Sequence, residues 1–231
     1  MYDYVEGARR ARGIVVIIDV FRAFSTACYA FAGGASTIIA VGEIDEARRL
    51  HSNNPGSILI GERGGKKIEG FDFNNSPSEI EGADFGCKTL ILTTNAGTQG
   101  LVNAVFSDQL LTGSFVNAKT TAQYIRSMAP AEVSLVRMGV EAVGRADEDD
   151  LCSEYLRSLL LDLPFDVKQV KPHLRTAPSS ARFFDDSKPW SPENDFELCL
   201  DIDRFDFVLQ AEVRPDGNAT LIRVSSLSLN K

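Results

Sequence analysis

The sequence is poor in the residues that most often mark an active site. It has two histidines, His51 and His173, among 231 residues. That nearly excludes a histidine-built zinc centre and leaves few histidine bases. The four cysteines, Cys28, Cys87, Cys152 and Cys199, form no C-x-x-C pair and sit in apolar or amphipathic stretches. They read as small buried hydrophobes rather than redox or metal groups. No run approaches the roughly 18 apolar residues of a membrane span. No basic patch of the kind a nucleic acid requires is visible. The opening "MYDYVEGARR" has no apolar h-region, so the expected compartment is the cytoplasm.

What remains is an ordinary folded composition, 44% apolar and 24% charged, with a net charge of −8. The length allows a sizeable core in one α/β domain over residues 1–231, with a C-terminal subregion from about 165. An acidic chain that binds an anion must do so locally, with a few arginines, backbone N–H groups or a metal ion. With so little His and Cys, that metal would be a hard, oxygen-bound cation such as Mg²⁺. Homo-oligomerisation is left open.

Apolar strand-like runs alternate with helical patterns. Strands are expected at 13–18, 37–41, 57–60, 88–93, 109–112 and 133–138. Helices are expected at 25–31, 44–51, 98–106, 118–128, 148–161 and 193–200. Such alternation means βαβ units and a three-layer α/β/α fold with a largely parallel or mixed sheet. Continuous apolar strands suit a sheet covered on both faces. Between 61 and 75 lies a polar, Gly-rich loop expected to order on binding. Ser76, Pro77 and Glu79 read as a capping box. Runs at 205–213 and 219–224 flank "RPDGN", which predicts a C-terminal β-hairpin centred on Asp216–Gly217.

In open α/β sheets, ligands bind at the carboxyl ends of strands. Four such ends carry chemistry: Asp19 and Arg22; Glu62, Arg63 and Lys66 in "GERGGKK"; Thr94, Asn95, Gly97 and Thr98 in "TTNAGT"; Glu148 and Asp149 in "DEDD". Each has a plainer reading. Asp19 suits a helix N-cap, "DEDD" suits a helix dipole, and "TTNAGT" suits a capped turn. "GERGGKK" fails the Walker pattern. Together they suggest one rim with acids, arginines and an anion cradle.

The segments "VVIIDVFRAFST", "GERGGKKIEGFDFNNSPSEI", "LTTNAGTQGL", "TGSFVNA" and "GRADEDD", in this order, closely resemble the 2-phosphosulfolactate phosphatases. The likeness spans roughly residues 4 to 210. It implies a Mg²⁺-dependent hydrolase that removes phosphate from (R)-2-phospho-3-sulfolactate, a small anionic substrate on the route to coenzyme M. On this reading Asp19, Glu148 and Asp149 hold the metal and Arg22 forks the phosphate. Thr94, Asn95, Gly97 and Thr98 cradle it. Arg63, Asn75 and Ser76 grip the substrate's other anionic groups, and Glu62 is a further ligand or base. The nucleophile is either Asp19 or a metal-activated water. The sequence departs from the family pattern at "FRAFST", at Asn74 where glycine is usual, and at Ala96 between Asn95 and Gly97. At Asn74 the turn is expected to need a positive φ, and Ala96 is expected to shift the cradle. A phosphatase for another phosphorylated 2-hydroxy acid, or a non-catalytic anion sensor, stay open as alternatives.

Overall fold

The computed structural model describes residues 1–225. Ten strands form one mixed sheet: β1 (Tyr2–Asp3), β2 (Gly13–Ile18), β3 (Thr37–Val41), β4 (Ile58–Arg63), β5 (Lys66–Lys67), β6 (Thr89–Thr93), β7 (Ser107–Gly113), β8 (Val133–Arg137), β9 (Phe207–Val213) and β10 (Ala219–Ser225). Their order is β1-β8-β2-β7-β9-β10-β3-β6-β4-β5. Two parallel blocks result. One holds β1, β8, β2 and β7, and the other holds β3, β6 and β4.

The C-terminal hairpin is not an appendage. Strands β9 and β10 lie between the blocks and pair antiparallel to β7 and β3. The turn runs from Arg214 to Asn218, with Gly217 at φ +83°. Three successive antiparallel pairings, β7 to β9, β9 to β10 and β10 to β3, leave the two blocks running in opposite senses.

Consecutive residues of β2 enter opposite faces, and both faces are buried. Val15 and Ile17 pack with Phe24, Leu101 and Leu209. Val16 and Ile18 pack with Phe115, Leu156 and Phe196. That double burial is why the strand reads as an unbroken apolar run. The first face is covered by α1 (Tyr4–Arg10), α2 (Ala23–Ala32) and α5 (Gly97–Asn103). The second is covered by α6 (Ala118–Met128), α7 (Asp147–Leu161), α8 (Val170–Arg175) and α9 (Glu193–Cys199) over one block, and by α3 (Ile44–Asn53) over the other.

Several local expectations are corrected. Strand β4 runs on to Arg63, and the segment after it bonds back to the strand. Lys66–Lys67 pairs back on Glu62–Arg63, and the Asp72 carboxylate accepts the Leu59 amide at 2.8 Å. The capping box does not form at α4 (Pro77–Ile80). The Ser76 hydroxyl goes instead to Asp195 at 2.7 Å, and Glu79 reaches past it to the Asn74 amide at 2.8 Å. Asn74 needs no positive φ. Its side chain serves as a tether, donating to the carbonyls of Gly65 and Trp190 at 3.1 and 3.2 Å. Cys87 is exposed, unlike the other three cysteines. The short elements β1, α1 and α8 carry no periodicity long enough to read. No helix among the described residues is long and apolar enough to cross a membrane.

Candidate active site

Strand β2 ends at Ile18, Asp19 follows it directly, and α2 begins at Ala23. The Asp19 carboxylate accepts the Ala23 amide, the first of α2, at 3.1 Å, although the N-cap position itself falls on Arg22 and not on Asp19. The same carboxylate faces a second helix start. Helix α5 leaves β6 and crosses the sheet face to β2, where Gly100 packs against Ile17 and Gly97 against Asp19. A Cβ on Gly97 would stand 2.8 Å from the Asp19 Oδ2, so only glycine fits there. In this way the end of one parallel block is pressed against the end of the other.

A cavity of about 190 Å³ opens at this junction. Seven of the sequence-predicted residues line it: Asp19, Arg22, Glu62, Asn75, Thr94, Asn95 and Glu148. Five do not. Arg63 alternates to the far side of β4, where it bonds the carbonyls of Glu62 and Gly42 and the Thr93 hydroxyl. Ser76 is committed to Asp195. The Thr98 hydroxyl returns to the Thr94 carbonyl at 2.8 Å, and Gly97 touches Asp19 from behind. Asp149 is turned to the backbone, with its oxygens taken by the amides of Val20 at 2.9 Å and Gly139 at 2.7 Å. It ties the ends of β2 and β8 together. Ala96 sits at the N-cap of α5, nearly buried, and its carbonyl accepts the Gly100 amide.

The acids are crowded and buried. Burial pushes the Asp19 carboxyl up to about 6, against the pull of the Ala23 amide, and the nearby Glu62 charge adds to the rise. Burial likewise takes Glu148 to about 7. Asp149 is raised well above the usual carboxylate range by burial, then by the charges of Glu148 and Asp19. Glu62 is held by two amides, Gly65 at 2.6 Å and Asn95 at 3.3 Å. One oxygen is left over: Glu148 Oε2 is buried with no hydrogen-bond partner. Buried polar atoms are almost always satisfied, so such an orphan calls for a ligand.

Facing the acids is a belt of satisfied groups. Of the five N–H donors of a guanidinium, Arg22 spends three. They go to Asp195, to the Trp190 carbonyl at 3.1 Å and to the Gly65 carbonyl at 3.0 Å. Asp195, fully buried on α9, also accepts from Ser76 at 2.7 Å and from the Ser78 amide and hydroxyl. It is a knot that ties three segments far apart in sequence.

Sequence reasoning missed Asp195, Ser179 and Arg182. The last two line the cavity from a 3₁₀ stretch, Pro178–Phe184. They lie past the alternating pattern, so no strand-end rule points to them. The available signal was a lone arginine between small residues and two phenylalanines in "SSARFF".

No group of three or more acids, histidines or cysteines suited to a metal occurs among the described residues. A hard cation that keeps several waters and takes substrate oxygens needs only one or two carboxylates. Asp19 and Glu148, with the orphaned Oε2, supply that pair.

Fold and site define an α/β protein with a small pocket of buried acids and arginines. The family model described as 2-phosphosulpholactate phosphatase matches residues 2–213. A protein of Bacillus subtilis (strain 168), named probable 2-phosphosulfolactate phosphatase, is 32% identical over 210 residues, 90% of each chain. One of the same name from Caldicellulosiruptor saccharolyticus is 43% identical over 152 residues, 64% of this chain and 62% of its own. Another, from Caldanaerobacter subterraneus subsp. tengcongensis, is 32% identical over 210 residues, 84% of this chain and 86% of its own. The chain belongs to the 2-phosphosulfolactate phosphatase family.

Proposed function

We propose that this protein is a Mg²⁺-dependent phosphatase that hydrolyses 2-phospho-3-sulfolactate to sulfolactate and phosphate. The observation that carries the reading is the acid face of the pocket, where Asp19 and Glu148 are buried side by side and Glu148 Oε2 is orphaned. Family membership supports the same substrate. Asp19 and Glu148 are the carboxylates that would hold the cation. When bound, Mg²⁺ neutralises phosphoryl charge as the bond to the leaving oxygen breaks.

The rest falls to the chain's own groups. Phosphoryl transfer is catalysed mainly by positioning and electrostatics. Glu62 fixes the Gly65 and Asn95 amides and so holds the two loops that wall the pocket. Asn75 presents its amide to the cavity, with Oδ1 buried and unpartnered. Asp149 locks β2 to β8, keeping Asp19 and Glu148 in register. The pocket's small volume suits a compact phosphorylated hydroxy acid.

The test is phosphate release from racemic 2-phospho-3-sulfolactate with and without Mg²⁺, beside phosphoglycolate, 2-phosphoglycerate and p-nitrophenyl phosphate. Mg²⁺-dependent turnover selective for the sulfonated ester is expected. Selective turnover of another ester would move the substrate while keeping the chemistry. No turnover of any of them would overturn the reading.

A further inference from the structure

Two arginines line the pocket, and they are in different states. Arg22 is fully buried, paired with Asp195 and bonded to two carbonyls. Arg182 is half-buried and has no carboxylate within ion-pair distance among the described residues. One donor is fixed, Nη2 to the Phe21 carbonyl at 2.7 Å. Its Nε is buried with no partner.

The rest of Arg182's surroundings hold it in place. Its Cζ lies 4.9 Å from the Phe183 ring centre. Phe183 is buried and packs edge-on against Phe21 at 4.9 Å, so the 3₁₀ stretch is anchored to the residue between Asp19 and Arg22. The guanidinium shares the cavity with Asp19, Glu148 and Arg22 and feels the charge of each. Burial and the Arg22 charge both act against it, while the two acids act for it. An unpaired, oriented guanidinium beside a like charge is relieved by an anion that fits its fork.

We propose that Arg182, rather than Arg22, makes direct ionic contact with the phosphoryl group of the ligand, and that Arg22 is a positioning residue whose guanidinium is spent on the Asp195 knot. The assignment rests on the phosphatase reading for the identity of the ester. The contact itself concerns any phosphate in the pocket.

The test separates the two. Inorganic phosphate and sulfolactate, which lacks the phosphoryl group, are each titrated calorimetrically into the Mg²⁺-loaded wild type, Arg182→Gln and Arg182→Lys. Loss of a bidentate, charge-assisted contact should weaken phosphate at least ~30-fold in Arg182→Gln and ~5- to 10-fold in Arg182→Lys. Sulfolactate affinity should stay within about threefold, since its carboxylate and sulfonate sit elsewhere in the pocket. Melting temperature should be little changed, because Arg182 closes no ion pair. If Arg182→Gln does not fold, the Arg182→Lys titration decides.

Unchanged phosphate affinity in the folded variants would overturn the proposal. So would loss of sulfolactate with phosphate retained, which would put Arg182 at the ester's other end. Failure of the wild type to bind phosphate would overturn it as well. A wild type that binds phosphate through Arg182 but does not hydrolyse 2-phospho-3-sulfolactate would refute the substrate and leave this contact standing.

Discussion

The acid wall of the pocket and the belt that backs Arg22 are built on opposite principles. The belt of Arg22, Asn74, Ser76 and Asp195, of which only Arg22 reaches the cavity, is saturated: its knot accepts four hydrogen bonds and its guanidinium gives three. The wall of Asp19, Glu148 and Arg182 is buried and incomplete, with Glu148 Oε2 and Arg182 Nε left unpaired. Satisfied buried polar groups fix a shape, whereas unsatisfied ones hold free energy that a ligand can release. Nearness to the pocket does not assign a role. Arg22 and Arg182 both line the cavity, and their hydrogen bonds separate them.

Substitutions in the acid wall and in the belt should separate activity from stability. On the incomplete side, Asp19→Asn should lower kcat/KM by more than about 10⁴-fold, some 5 kcal/mol of transition-state stabilisation. The melting temperature should hold or rise, because a crowded buried acid is gone. Initial rates and a thermal melt on the same sample check both halves. On the saturated side, Asp195→Ala leaves Arg22 a buried, unpaired charge and should cost about 3–5 kcal/mol in chemical denaturation. A variant that unfolds as late as the wild type would mean the knot holds nothing.

Gly97→Ala tests the seam between the parallel blocks. The added methyl meets Asp19 Oδ2 at 2.8 Å and Ala23 Cβ at 2.9 Å. Overpacking of this kind costs about 1–3 kcal/mol, and because Asp19 must move, kcat should fall as well. The smallest effect is on pH. In protein stripped of divalent cations, Asp19 and Glu148 have folded values of about 6 and about 7, above those of the unfolded chain. Groups raised on folding favour the fold at low pH and lose that contribution as pH rises through their folded values. The melting temperature should therefore fall between about pH 4 and about pH 7, and Asp19→Asn should flatten the curve. A melting temperature that climbs over that interval in the stripped protein would contradict the buried-acid account.

Much of this was legible in the sequence because strand ends are local. An apolar run stopping at Asp19 fixes both the strand and the place of the acid, and "TTNAGT" after a second run does the same for Asn95. Asp149 and Arg63 show where the reasoning thins. Which way a side chain turns at a strand or helix end depends on which backbone amides lie nearby, and sequence spacing does not contain that. The belt was invisible for a related reason. Asp195 meets Arg22 across 173 positions, and Arg182 reaches the pocket through aromatic packing after the periodic pattern has ended. The hairpin was legible as a hairpin, but its place between the two parallel blocks is a long-range pairing that no local pattern encodes.

The most direct test of the central claim, that the incomplete acid wall is made for a cation, is calorimetric titration of Mg²⁺ into the wild type and into Glu148→Gln. The account predicts saturable binding to the wild type, at least ~10-fold weaker binding to the variant, and an undiminished melting temperature in the variant. Equal binding by the two proteins would show that Glu148 and its orphaned oxygen serve something else.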